Sequence, residues 1–107
     1  MKTDYQVVFV TASTMEQAER IAEALVSESL AACANIIEGC RSIYRWQGKV
    51  ETDDEVLLLI KARRGDFDAI EERVTALHSY DVPEIIAVDL AALSDGYRGF
   101  MEDALGG

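Results

Sequence analysis

The chain has 107 residues, half of them hydrophobic, and 20 acidic side chains against 10 basic ones, for a net charge of −10. That size suits one folded domain, residues 1–107. The acidic balance argues against a nucleic-acid partner, whose phosphates need a basic face, and no apolar run approaches the ~20 residues of a membrane span.

The first ten residues carry one early lysine and a short apolar run. They lack the long apolar region and small-residue cleavage site of a signal peptide, so a cytoplasmic location is expected by default. Residues 5–11, YQVVFVT, are apolar and β-branched and read as a buried strand. Ser13-Thr14-Met15-Glu16 has the S-x-x-E form of a capping box, which predicts a helix start. Ala18, Ile21, Ala22, Leu25 and Val26 then recur on one helical face, with Glu16, Glu19, Arg20 and Glu23 opposite. The helix should fade near Ser29-Leu30.

Residues 33–46 and 49–63 read as two long strands folded back at Trp46-Gln47-Gly48-Lys49. Usual strands run about 5–6 residues. At ~3.3 Å per residue each of these arms would reach ~46 Å, whereas a compact chain of this length has a diameter of roughly 34 Å. The hairpin therefore bends sharply or projects, and a projecting end would leave Ile43, Tyr44 and Trp46 wet unless another subunit covers them. Glu38-Gly39 predicts a bulge or kink. The unbroken run Val56-Leu57-Leu58-Leu59-Ile60 predicts a central strand covered on both faces. The acidic Glu51–Glu55 segment before it should be partly solvated.

Asp66 is a candidate N-cap for a second helix, with Phe67, Ile70, Val74 and Leu77 at spacings of 3, 4 and 3. That helix should stop at His78-Ser79-Tyr80. Pro83 can open a strand but not sit inside one, and residues 84–90 read as the last strand. Tyr97, Phe100, Met101, Ala104 and Leu105 share a helical face in a short terminal helix, which Gly96 and Gly99 weaken. The order is strand, helix, strand, strand, helix, strand. It predicts an α+β, ferredoxin-like split βαβ fold with an antiparallel sheet, an extended central hairpin and a short C-terminal helix. Both helices would cover one sheet face, and the other face, bare and apolar, needs a partner.

The stretch AACANIIEGCRSIYRWQGKVETDDEVLLLIKAR (31–63), followed by LHSYDVPEIIAV (77–88), resembles the CutA family of divalent-cation tolerance proteins. The W-x-G-K turn at Trp46 to Lys49, ahead of H-x-Y-x-x-P-E at His78 to Glu84, is the specific combination, and the likeness runs from Val7 to about Phe100. The resemblance implies a ferredoxin-like subunit in a tight homotrimer, with long hairpins reaching onto neighbouring subunits. It also implies association with divalent metals, copper above all, and no established enzymatic activity. Some family members bind metal through a thiol on the first strand and histidines in the later loop. The matching positions here are Val10 and, beside His78, Leu77.

His78 is the only histidine. An imidazole suits copper or zinc, and Glu84 could add an oxygen if the loop turns back at Pro83. The alternative is a histidine that interacts with its own helix end. Cys33 and Cys40 are soft donors. Seven extended residues hold them ~23 Å apart, too far for a disulfide. Cys33 is expected as a small core residue, and Cys40, after the glycine kink, as the more reachable thiol. Tyr44 and Trp46 could stack a nucleobase, but the acidic charge favours interface packing. A second reading of the whole is a trimeric signalling protein, with Tyr80, Lys61 and Arg63 lining clefts between subunits for a small anion. Phosphate-cradling, dinucleotide-binding and nucleophile-elbow motifs are absent, which points away from an enzyme and from an organic cofactor.

Overall fold

A computed structural model describes residues 3–106. Its elements run β1 (Tyr5–Ala12), α1 (Met15–Ser27), β2 (Cys33–Trp46), β3 (Lys49–Arg63), a 3-10 turn (Arg64–Asp66), α2 (Phe67–Leu77), β4 (Ile85–Asp89) and α3 (Asp95–Leu105). The four strands make one sheet in the order β2-β3-β1-β4, with every neighbouring pair antiparallel. This is the ferredoxin-like α+β arrangement expected from the element order.

α1 starts one residue later than the Ser13 box implies. The Thr14 hydroxyl accepts from the Gln17 N–H at 3.1 Å, and the Gln17 side-chain carbonyl accepts from the Ser13 N–H at 3.5 Å. The cap therefore centres on Thr14, and the Gln17 side chain reaches back past it to the Ser13 N–H. Ala18, Ile21, Ala22 and Leu25 are buried, but Val26, at the margin of the stripe, is exposed. α2 buries Ile70 and Val74 completely, with Phe67 and Leu77 packed at the rim. Asp66 precedes it without a side-chain capping bond, because its carboxylate pairs with Arg63 at 3.5 Å.

α1 and α2 fall on the same side of the sheet. Val8, Val10, Leu58 and Ile60 face them and are fully buried; each such side chain contributes about 1.5–3 kcal/mol of transfer free energy. The alternate residues Val7, Phe9, Leu57 and Leu59 point to the opposite face and stay half-buried, while Ile37, Ile86 and Val88 there are exposed. The run from Val56 to Ile60 is thus covered on one face only within a single chain, not on both. Its lack of alternation records an apolar open face.

α3 closes one end of that open face. Met101 and Leu105 pack with Tyr5 and Ala32, the Ser94 hydroxyl accepts from the Tyr97 N–H at 3.1 Å, and Arg63 donates to the Leu105 carbonyl at 2.6 Å. Packing and these two end contacts offset the weak helix propensity of Gly96 and Gly99. Tyr97 and Phe100 remain on the outer side, their rings 5.3 Å apart.

The hairpin is as long as its sequence implies. β2 has 14 residues and β3 has 15, and the long dimension of the molecule is 45 Å against 28 and 24 Å. Gln47 and Gly48, with φ of 50° and 81°, form the two-residue turn that suits the strand twist. Between Ile37 and Cys40 the pairing with β3 slips by one residue, at Glu38-Gly39. This bulge rephases the strand. Ile37 pairs with Leu57 and Cys40 with Glu55, so Cys40, Ser42, Tyr44 and Trp46 keep to the open face. Without the extra residue they would turn to the helix side. Toward the hairpin tip neither face is covered, and Ile43 and Val50 are 68% and 66% exposed.

Gly39 holds φ of 82°, and a Cβ built there meets nothing within 4 Å. Gly39→Ala should therefore lower stability by about 1–2 kcal/mol through backbone strain alone, measured by urea denaturation. A neutral substitution would mean the bulge relaxes without cost.

Candidate functional site

The outer hairpin, the end of β1 and the loop after α2 enclose an open hollow of about 630 Å³. Thr11, Tyr44, Trp46, Asp53, Glu55, Tyr80 and Glu84 are among its lining residues. The bulge places Tyr44 and Trp46 on this side, and the end of α2 delivers Tyr80.

His78 sits at the C-terminal cap of α2, where its backbone N–H donates to the Val74 carbonyl at 2.9 Å. Its ring leaves the helix and turns to the sheet. Nε2 lies 2.7 Å from the Thr11 carbonyl oxygen, and Nδ1 accepts from the Tyr80 N–H at 3.1 Å. A carbonyl only accepts and a backbone N–H only donates, so these partners assign the proton to Nε2. The His78 and Tyr80 rings lie 4.6 Å apart, tilted by 49°. The Tyr80 hydroxyl then donates to Glu55 Oε2 at 2.9 Å.

Glu55 is only 8% exposed, although its acidic neighbours are solvated. Its role was not legible in the stretch ETDDE; the one signal is that it stands two residues before Leu57 and so shares the open face. Burial first, then donation to Glu55 and the negative field of Glu55 and Asp53, pushes the Tyr80 phenol from 10.0 up to about 12. Tyr44 donates to the Asp53 carboxylate, and that bond is the main cause of its rise to about 12.

The other candidates are dispersed. Glu84 lies at the exposed rim of the hollow. Cys40 is half-buried, its Sγ 3.9 Å from the Ser42 hydroxyl. Cys33 is half-buried too, beside Tyr97, whose phenol is pushed up by burial and by the Cys33 thiol. Cys33 pairs with Lys61 and Cys40 with Glu55, six residues apart on β3, or about 20 Å. Neither thiol is in a disulfide. Lys61 and Arg63 lie at the end of the sheet away from Tyr80, and Arg63 is engaged with Asp66 and Leu105. One chain therefore does not bring Tyr80, Lys61 and Arg63 into a common cleft.

A transition-metal centre needs about four nitrogen, sulfur or oxygen donors converging on one point. Among the described residues, no three His, Cys, Asp or Glu side chains gather closely enough to hold a metal ion. Both ring nitrogens of His78 are already hydrogen-bonded. The residues of a single chain do not fit such a centre.

The family model described as CutA1 divalent ion tolerance protein matches residues 6–104. The chain belongs to the CutA family of divalent-cation tolerance proteins. The divalent-cation tolerance protein CutA of Thermus thermophilus is 48% identical over 101 residues, covering 94% of this chain and 98% of that one. The chloroplastic CutA of Arabidopsis thaliana is 43% identical over 98 residues, and there the chain spans only 54% of the relative's length. The crystal structure of CutA from Xylella fastidiosa superposes with a TM-score of 0.92 at 39% identity, covering 96% of this chain and 99% of that one. CutA1 from Oryza sativa gives 0.91 at 43% identity, with 96% and 94% covered. The CutA likeness thus takes in the sheet, the long hairpin and the loop carrying His78 and Tyr80.

Tyr80→Phe removes the hydroxyl that donates to a buried carboxylate and should cost about 1–3 kcal/mol, read by urea denaturation. The folded phenol binds its proton more tightly than the unfolded one. Its stabilisation is therefore full below about pH 10 and lost as pH rises through about 12. Phenolate absorbance of the native protein should show Tyr44 and Tyr80 ionising late, alongside the raised Tyr97, with the contributions of Tyr44 and Tyr80 each removed by its own Phe variant. Early ionisation of both would contradict the two hydrogen bonds.

Proposed function

We propose that this protein acts in divalent-cation tolerance as a cytoplasmic homotrimer that binds copper or another divalent cation without catalysing a reaction. The observation that carries this reading is the uncovered apolar surface of one chain. Val7, Phe9, Leu57, Leu59, Ile86 and Val88 form an open sheet face, and Ile43, Tyr44, Trp46 and Val50 stand on a projecting hairpin. A contiguous patch of that kind marks an interface, and copies of the same chain meeting on closed symmetry is the commonest solution. Membership in a divalent-cation tolerance family supports the cation. Because one chain gathers no metal cluster among its described residues, the cation is held by donors from adjacent copies. Glu84 at the rim and the Cys40 thiol retain donor atoms for this. The two unpaired thiols suit a reducing compartment.

Sedimentation at micromolar concentration should give three times the 11.8 kDa chain mass, and Trp46→Asp should shift the population to single chains. A well-folded single subunit in the unmodified protein would sink the assembly. Calorimetric titration of chelator-washed protein with copper should show saturable heat that Trp46→Asp loses. Absence of heat at millimolar copper would remove the cation-binding reading while leaving the trimer intact.

A further inference from the structure

The one residue whose chemistry most resembles that of a metal ligand is held by bonds that metal ligation would break. We infer that His78 is a positioning residue, pinning the 78–84 loop to β1 through both ring nitrogens, and that it does not ligate the cation this protein binds.

A neutral imidazole offers a metal one lone pair. Metal-bound histidines commonly donate their other N–H to a carbonyl, so the bond from Nε2 to the Thr11 oxygen is by itself compatible with ligation. The bond on the other side is not. Nδ1 holds the only lone pair, and the Tyr80 N–H already points at it from 3.1 Å. A cation at Nδ1 would displace that N–H. One at Nε2 would need the proton to leave and would strip the Thr11 carbonyl of its donor at 2.7 Å. Either change loosens the segment that carries Tyr80, whose hydroxyl reaches Glu55, a carboxylate 8% exposed. Thr11, His78, Tyr80 and Glu55 thus form one chain of contacts from β1 through the loop to β3. Its function is to hold the Tyr80 wall of the hollow against the sheet.

This role is separable from cation binding by the full-length protein. His78 is the sole histidine, so ¹⁵N-labelled imidazole reports on it alone. Long-range proton–nitrogen spectra of chelator-washed protein should show one neutral tautomer protonated at Nε2, and excess zinc chloride should leave both nitrogen signals in place. A zinc-dependent shift of either nitrogen, or a metal-free ring exchanging between tautomers, would overturn the assignment. His78→Gln supplies one amide donor and one carbonyl acceptor. It should keep more thermal stability than His78→Ala, and its copper titration curve should match that of the unmodified protein; weakened copper binding in His78→Gln would count against the inference. Should copper give no heat with any form, the cation reading fails, and the ring spectrum of the metal-free protein still decides whether His78 is the pin.

Discussion

The structure depends on a one-sided sheet. α1 and α2 lie on the same face, so the residues of β1 and β3 divide into a dry set, Val8, Val10, Leu58 and Ile60, and a half-wet set, Val7, Phe9, Leu57 and Leu59. The dry set holds the fold together within one chain. The half-wet set is as apolar as the first, and water is a poor neighbour for it. α3 relieves this only at the Tyr5 end. The central hairpin then extends the same open face beyond the domain, because the bulge at Glu38-Gly39 keeps Tyr44 and Trp46 in phase with Ile37 and Leu57. A single inserted residue therefore decides which side of the projecting ribbon carries its aromatic groups.

The loop after α2 meets the sheet through polar contacts in place of apolar packing. Asp81, Val82 and Glu84 are exposed, and Pro83 and Tyr80 are half-buried. What fixes this segment is the line from Thr11 through His78 and Tyr80 to Glu55, in which every donor has an acceptor. No buried side-chain nitrogen or oxygen among the described residues lacks a partner. In a partly desolvated setting such a line is stiff, since breaking any member leaves a neighbour unsatisfied. Arg63 plays a comparable part at the opposite end of the sheet, joining the turn before α2 to the last carbonyls of α3.

Local errors of reading have local causes. The cap of α1 moved from Ser13 to Thr14 because S-T-M-E-Q satisfies the capping pattern in two registers. Val26 lay at the margin of the apolar stripe, where a few tens of degrees separate core from solvent. Glu55 was hidden in an acidic run because composition averages over a strand, whereas burial alternates along it.

The sequence by itself determined the element order, the two long strands, their turn at Gln47-Gly48, the bulge at Glu38-Gly39 and the family. These are encoded by short-range periodicity, by glycine at positive φ and by motif spacing, all of which act over a few neighbouring residues. Only the tertiary structure decided where the ring of His78 goes. The ring bonds across to Thr11, 67 positions away in the chain, and no local pattern distinguishes a histidine aimed at a strand carbonyl from one aimed at a metal. The same holds for Glu55, whose buried state depends on a tyrosine 25 positions later. Hydrogen-bond partners brought together by folding are set by the packing of whole elements, and that information is spread over the entire chain.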